Sequence, residues 1–371
     1  MSSIQQADFV TMAHLSTCLR LVNDHSQANL RIAVVRFSAL GDVVMVSAAV
    51  RALQQSFPAA TVTWITSPLA YALLKGMPGV NFEVFEKPRS LTDYRAFYRA
   101  FRHRRFDVVL AMQANLRINL LYPALHARVK IGFDRTRARE AQWLVCNRRI
   151  PYVNSHLTDS FLSFVETLSG SPALANWSLP IDASDLEWAR EQLQALPKPW
   201  VAIHPHASKA ERNWLPQRYE EVLTQTVAHW NCGVVLTGGK SEAELALCEQ
   251  LALLAPDSVL NLCGKSTLKR LAAVLSLADV LIAPDTGAVH IARAVGTPVV
   301  GLYAVASPKL TGPYGQMKYC VDRYPQAVEK YLGKDADQVP WNTRVHHPDA
   351  MALIEVSDVM AQLEKLLGLQ K

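Results

Sequence analysis

The sequence lacks the features of several protein classes. Its six cysteines are scattered without a C-x-x-C pair, which is typical of reduced cytosolic thiols and argues against a disulfide framework or a zinc site. No apolar run approaches the roughly 20 residues that a membrane-spanning helix needs. The first 30 residues show no basic segment followed by an apolar core, so we expect no signal peptide. Neither G-x-x-x-x-G-K-[ST] nor G-x-G-x-x-G occurs, which argues against a P-loop ATPase and a nicotinamide enzyme.

Composition and charge point to a folded protein with a basic first half. The 371 residues are 50% hydrophobic and 19% charged, enough for two globular domains. Residues 1–180 hold 20 Lys/Arg against 11 Asp/Glu, whereas residues 181–371 hold 18 against 21. Most of the excess lies in residues 87–149, with 15 basic and 4 acidic side chains. Either a solvated basic face or an anionic partner of the first domain accounts for it.

Strand and helix patterns alternate along the chain, and the series starts twice. Strands are predicted at 31–36, 61–66, 81–85, 107–111, 129–132, 200–204, 233–237, 258–262, 280–283 and 298–303. The predicted helices are 9–22, 42–56, 91–104, 116–126, 216–229, 242–253, 268–277, 288–295 and 350–367. A linker begins within 170–180, and 323–348 is expected to be irregular.

This alternation predicts an α/β protein with two Rossmann-like domains, 1–180 and 181–371, that face a central cleft. The last helix is expected to pack on either domain. Ligands of such sheets bind outside the carboxyl ends of the strands.

A strand–turn–helix at 280–295 stands out in the second domain. Its D-T-G turn brings a helix N-terminus to a strand end, where free N–H groups and the helix dipole favour an anion. An ordinary capped turn is the alternative. Upstream, Ser208, Lys209 and Arg212 follow another strand, as phosphate ligands or as part of a solvated loop.

In the first domain, Asp42 is a lone carboxylate after the first strand. It is a favourable helix cap, and in a cleft opposite a nucleotide-sugar it is also a general base for inverting transfer. No D-x-D motif lies beside the proposed diphosphate site, so we expect no metal.

Four motifs carry a resemblance to a family: S-A-L-G-D at 38–42, D-T-G-x-x-H at 285–290, G-T-P-V-V at 296–300 and T-G-P-Y-G at 311–315. They resemble the ADP-heptose:lipopolysaccharide heptosyltransferases, inverting enzymes of glycosyltransferase family 9 with the GT-B architecture. Residues 132–140 are similar to the type I enzymes, which add the first heptose to Kdo on lipid A.

The resemblance implies roles for individual residues. Asp42 is the implied general base. Donor contacts are implied for Glu242 at the ribose, Gly264, Thr267 and Leu268 at the adenosine, Asp285 at the heptose, and Thr286, Gly287 and His290 at the diphosphate or sugar. Arg212 stands where relatives often carry Lys. For the anionic acceptor we expect Arg135, Arg137 and Arg139, whose planar groups suit carboxylate and phosphate.

The resemblance also implies the partners. They are ADP-heptose, Kdo-lipid A and the inner-leaflet membrane surface, for a cytoplasmic protein peripheral at the inner membrane that uses no cofactor and binds no nucleic acid. Alternatives are another nucleotide-sugar or a later core acceptor on the same fold. A non-enzymatic polyanion-binding protein is a third, which would bind nucleic acid through the basic first domain with steep salt dependence.

Overall fold

The computed structural model describes residues 29–368, and the chain divides into two compact units after Ser178. The helix predicted at 9–22 lies outside the described residues. Within residues 29–368, no helix combines the length and apolar character needed to cross a membrane.

The first unit is built on a parallel six-stranded sheet. Its strands are β1 (Arg31–Val35), β2 (Thr61–Thr66), β3 (Val80–Val84), β4 (Arg105–Leu110), β5 (His126–Gly132) and β6 (Arg148–Arg149). They are ordered β3-β2-β1-β4-β5-β6, with Ile32 opposite both Val62 and Val108. Strands β2 and β3 lie on one side of β1, and β4, β5 and β6 lie on the other. This reversal of direction leaves a crevice between the carboxyl ends of β1 and β4.

Helices cover this first sheet. They are α1 (Leu40–Ser56), α2 (Pro68–Leu74), α3 (Leu91–Phe101), α4 (Leu116–Asn119) and α5 (Leu157–Ser169). Helix α1 packs against α5 and buries most of its apolar side chains. Helix α3 buries Phe97 and Phe101 against Phe106 of β4, so the first domain core is strongly aromatic.

The second unit repeats the arrangement. Its strands are β7 (Trp200–Ile203), β8 (Gly233–Leu236), β9 (Val259–Asn261), β10 (Val280–Pro284), β11 (Val299–Tyr303) and β12 (Val321–Asp322). The strand order is β12-β11-β10-β7-β8-β9. Read from the opposite edge, with β7 in the place of β1, it is the same order as in the first sheet. The equivalent crevice therefore lies between the carboxyl ends of β7 and β10.

The second unit's helices are α6 (Ala183–Leu193), α7 (Pro216–Trp230), α8 (Glu242–Ala252), α9 (Leu268–Leu277), α10 (Gly287–Ala294), α11 (Pro308–Thr311), α12 (Tyr324–Leu332) and α13 (Val356–Leu367). The last of these, α13, contacts α7 and contributes Val359 and Leu363 to the core of this unit.

The α/β fold class with two Rossmann-like units is confirmed, and three local predictions are wrong. The helix predicted at 116–126 ends at Asn119, because a short 3-10 turn containing Pro123 follows and β5 begins at His126. The segment 323–348 contains α12, which starts with Pro325 and ends at Gly333 with φ +62°. The helix predicted at 350–367 begins only at Val356, where the carboxylate of Asp358 accepts the N–H of the N-cap residue Glu355 at 3.0 Å.

Candidate functional site

Asp42 lies in the first turn of α1, immediately after the loop that leaves β1. Its Oδ2 accepts the N–H of Ala39 at 3.1 Å and is ion-paired with the guanidinium of Arg36. Its Oδ1 has no hydrogen-bond partner among residues 29–368, and the side chain is 24% exposed. One oxygen therefore serves the start of the helix, as the capping alternative expected, and the other remains available to a ligand.

Arg36 holds this carboxylate from the crevice of the first sheet. Its Nη1 donates to the carbonyl of Met112 after β4 at 2.6 Å, and its guanidinium carbon lies 5.3 Å from the centre of the Phe161 ring. The side chain thus crosses from β1 to β4 and is buried. Sequence reasoning missed Arg36, although a cation at the end of an apolar strand, six residues before Asp42, is an available signal.

Lys87 lies near both Arg36 and Arg117. Lys87 follows β3, and burial first, then the charges of Arg117 and Arg36, lower the pKa of its ammonium group. Glu86 acts in the opposite direction. Besides the larger effect of burial, the contributions of Arg117 and Arg36 to this pKa show that positive charges gather around Lys87. Such a cluster attracts an anionic ligand to the edge that carries Asp42.

The loop after β5 contains the three arginines predicted to bind the acceptor, and they differ in burial. Arg137 is buried, with its nitrogens bound to the carboxylate of Asp134, the hydroxyl of Ser160 and, at 2.8 Å, the carbonyl of Pro151. Arg135 and Arg139 are exposed. Arg137 is therefore placed to hold the loop in shape, whereas its two neighbours can reach a ligand.

The same loop is strained and firmly held. Glu140 and Ala141 both adopt left-handed conformations, with φ of 51° and 62°, which non-glycine residues rarely do. The side-chain amide of Asn119 donates to the carbonyls of Arg139 at 3.1 Å and Glu140 at 2.8 Å. Fully buried Gln142 closes the loop. Arg135 and Arg139 are thus presented from a fixed backbone.

In the second unit, an ion pair crosses the crevice between β7 and β10. Arg212 Nη1 lies 3.1 Å from Oδ2 of Asp285 and 3.4 Å from its carbonyl oxygen. Arg212 comes from the loop after β7, and Asp285 follows the last residue of β10. Both side chains are largely buried. The pair therefore places a largely buried guanidinium group at the carboxyl end of β10.

Helix α10 begins beside this pair. Thr286 is its N-cap, but the threonine side chain makes no capping hydrogen bond. Gly287 is the first helical residue, and His290 is buried one turn later. The N–H of Val289 donates to the carbonyl of Thr286 at 3.2 Å, whereas the N–H groups of Gly287 and Ala288 make no bond to the cap. The helix dipole places partial positive charge at this end.

The remaining predicted donor residues lie in loops at the same edge of the second sheet. Ser208 and Lys209 are exposed after β7. Gly264 has φ +70°, and Thr267 caps α9 by accepting the N–H of Arg270 at 3.2 Å, with Leu268 as the next residue. The loops after β7, β8, β9 and β10, with the first turns of the helices that follow them, carry every predicted donor residue.

Two glutamates follow β8, and they differ in whether their carboxylates are already hydrogen-bonded. Glu242 is exposed as the first residue of α8. Glu244 accepts the N–H of Gly239 at 2.8 Å and the hydroxyl of Ser241 at 2.6 Å, and these bonds lower its pKa against the opposing effect of burial. Glu242 is thus the carboxylate left available to a ligand.

A buried histidine, which sequence reasoning missed, joins the ends of β7 and β8. Nδ1 of His204 lies 3.0 Å from the hydroxyl of Thr237, and burial lowers the pKa of the imidazole to about 4. His204 is therefore neutral at neutral pH and supports the loops from inside. Among residues 29–368, no group of three or more His, Cys, Asp or Glu side chains is arranged to hold a metal ion.

Comparisons with known proteins agree with this arrangement. The family model of glycosyltransferase family 9 (heptosyltransferase) matches residues 94–352. Lipopolysaccharide core heptosyltransferase OpsX of Haemophilus influenzae is 33% identical over 343 residues, covering 92% of this chain and 98% of the relative. Lipopolysaccharide heptosyltransferase 1 of Escherichia coli is 24% identical over 301 residues, covering 77% and 92%.

Solved structures show the same fold. A family 9 glycosyl transferase from Veillonella parvula superposes with a TM-score of 0.75 at 19% identity, covering 92% of this chain and 98% of that one. E. coli heptosyltransferase WaaC, solved with ADP-2-deoxy-2-fluoro heptose, gives a TM-score of 0.64 at 21% identity, covering 91% and 99%. Because the family model matches more than half of the chain and the Haemophilus relative is 33% identical over 92% of it, this chain belongs to glycosyltransferase family 9, the heptosyltransferases.

Proposed function

We propose that this chain transfers heptose from ADP-heptose to the Kdo-lipid A inner core of lipopolysaccharide, with inversion at the anomeric carbon and without a metal ion. The name of the Haemophilus relative supports a core acceptor, and the ligand in the WaaC structure supports the donor. A lipid-linked acceptor of this kind places the reaction at the cytoplasmic face of the inner membrane.

The observation that carries this proposal is the carboxylate of Asp42, with Oδ2 bound and Oδ1 free. In the proposed step, Oδ1 takes the proton of the acceptor hydroxyl while that oxygen forms a bond to the anomeric carbon. The bond from that carbon to the diphosphate breaks at the same time, and ADP leaves with the electron pair. Attack opposite the leaving group inverts the configuration.

The leaving diphosphate requires positive charge. The N-terminus of α10 offers uncapped N–H groups, and Arg212 and Lys209 offer cationic side chains from the loop after β7. In the proposed step these groups, instead of a divalent metal, carry the charge of the leaving diphosphate. We expect a chelator to leave turnover unchanged, and full inactivation rescued by magnesium or manganese would refute the metal-free proposal.

The acceptor carries several negative charges, and the first unit carries the complementary cations. Lys87 lies near Arg36 and Arg117, and exposed Arg135 and Arg139 lie in the held loop after β5. We expect Arg135→Ala or Arg139→Ala to raise the acceptor KM and to leave the donor Kd unchanged. The matched control is Arg128→Ala, because Arg128 is exposed and lies near the amino end of β5, away from the carboxyl edge of the sheet. Wild-type acceptor kinetics in both variants would place the acceptor elsewhere.

The central test is Asp42→Asn. Asparagine keeps the volume and a weak cap but removes the base, so we expect turnover to fall by at least about 100-fold with little change in donor affinity. The matched control is Asp93→Asn, because Asp93 occupies the same capping position in α3. Near-normal turnover in Asp42→Asn would leave that residue with its capping role alone.

The later-core alternative is tested with the same protein. Relatives named heptosyltransferase 1 and heptosyltransferase 3 match this chain at 24% and 21% identity, so identity does not separate the two acceptors. Purified Kdo-lipid A and a heptosylated core are offered with the same donor. Transfer only to the heptosylated core would show that the enzyme acts at a later step of core synthesis.

A further inference from the structure

The first unit exposes apolar side chains on three neighbouring segments. Of its exposed large apolar residues, six lie on α3, on α4 with the residue that follows it, and on the turn 140–144, and they are 42–73% exposed. These six are Leu91, Tyr98, Leu116, Leu120, Trp143 and Leu144. Exposed apolar groups concentrated in this way mark an interaction surface.

Hydrogen bonds join the three segments into one surface. The hydroxyl of Tyr94 donates to the carbonyl of Arg117 at 3.0 Å, and that of Tyr98 donates to the carbonyl of Leu120 at 2.9 Å. These bonds hold α3 beside α4. The backbone N–H of Leu116 donates to the carboxylate of Glu140, which ties α4 to the turn. The six apolar side chains therefore belong to adjacent, fixed elements.

The surface is also basic. Leu91, Arg95, Tyr98 and Arg102 follow one another at spacings of four, three and four, so they share one face of α3 and its C-cap. Both arginines are exposed, and the buried Phe97 lies on another face. An apolar stripe flanked by arginine is complementary to a membrane with anionic headgroups.

Trp143 and Leu144 are held outwards. They follow Gln142, which is fully buried and whose side-chain amide donates to the carbonyls of Ala111 at 2.8 Å and Gln113 at 3.1 Å. This anchor fixes the start of the turn, and the side chains of Trp143 and Leu144 are 53% and 68% exposed. Tryptophan and tyrosine are the residues that favour the headgroup level of a bilayer.

We propose that this surface, defined by the six apolar residues with Arg95 and Arg102, docks on an anionic phospholipid membrane. It rests on the proposed function for the lipid-linked acceptor and assigns the part of the chain that meets the lipid. The apolar side chains insert among the headgroups, and the arginines bind their phosphates. Docking places the carboxyl edge of the first sheet, which carries Asp42, close to a membrane-embedded acceptor.

The test measures cosedimentation of the full chain with vesicles, without donor or acceptor. We expect binding to vesicles containing phosphatidylglycerol, weaker binding to phosphatidylcholine alone, and weakening by salt. The double variant Trp143→Ser with Leu144→Ser should lower the partition coefficient at least about tenfold. Its matched control is Leu253→Ser with Leu254→Ser, an exposed apolar pair in the second unit, which should bind like the wild type.

The charge contribution is measured separately. Arg95→Gln with Arg102→Gln should weaken binding and flatten its salt dependence, whereas Arg128→Gln with Arg190→Gln removes the same charge elsewhere and should not. Turnover on a soluble acceptor without acyl chains should remain at the wild-type level in every variant. This assay separates lost docking from lost catalysis, and it also decides whether the transferase activity itself exists.

Three results would overturn the proposal. The first is absence of wild-type binding to anionic vesicles. The second is equal loss of binding in the surface variants and their controls. The third is a wild-type dimer, seen by light scattering, that the Trp143 and Leu144 changes convert to a monomer without altering vesicle binding, because a second copy of the chain would then cover the surface.

Discussion

His204 makes the stability of the second unit depend on pH. It is buried against Thr237, and burial lowers the pKa of its imidazole from 6.5 to about 4. Glu244 raises this pKa and His206 lowers it, both by smaller amounts. In the unfolded chain the imidazole binds a proton once the pH falls below 6.5, whereas in the folded unit it stays neutral until about pH 4.

The sign and size of the effect follow from these two values. The stabilising contribution of the neutral imidazole is complete above pH 6.5 and is lost progressively as the pH falls towards 4. Between about pH 7.5 and about pH 5, linkage gives a loss of about 2 kcal/mol in the free energy of unfolding from this residue. Such a loss is a large fraction of the stability of an ordinary domain.

The assay compares wild type with His204→Gln across this pH range. Urea unfolding is followed by brief deuterium labelling and mass spectrometry of peptides from β7 and β8, so that the transition belongs to the second unit. We expect the His204→Gln variant to be less stable than wild type at neutral pH. The difference between their free energies of unfolding should shrink by about 2 kcal/mol as the pH falls.

Exposed His126 supplies the control, since His126→Gln should keep the wild-type dependence. A deficit in His204→Gln that is constant with pH would show that the folded unit does not keep His204 neutral.

Three further outcomes are expected. Arg36→Gln should lower kcat at least about tenfold with the donor Kd unchanged, and Arg36→Lys should restore part of it, because a misplaced Asp42 carboxylate costs rate; wild-type kcat would show that Asp42 holds its own position. Arg212→Ala should weaken ADP binding in calorimetry about tenfold or more, since a charged hydrogen bond contributes about 1.5–3 kcal/mol; unchanged affinity would remove Arg212 from the donor site. Gly312→Ala should cost about 1–3 kcal/mol in thermal unfolding, because its Cβ would lie 2.5 Å from the carbonyl oxygen of Pro308; an unchanged Tm would refute the crowding.

Local patterns predicted most of the fold. The strand Thr61–Thr66 and the helix Leu268–Leu277 have the same bounds in the structure as in the sequence prediction, because apolar periodicity and caps such as Thr267 act over a few residues. The helix Tyr324–Leu332 was missed although Pro325 and Gly333 mark its two ends. There the local signals were present and were outweighed by the polar composition.

The sequence by itself determined that two α/β units follow one another, that Asp42 opens a helix after a strand, and that D-T-G opens another. Only the tertiary structure decided which arginines are free. Arg36 meets Met112, 76 residues away, and Arg212 meets the carbonyl of Asp285, 73 residues away. Arg137 is buried between exposed neighbours of the same type. The reason is that strand order, which no local pattern encodes, brings distant loops to one sheet edge and sets the burial and partners of each charge there.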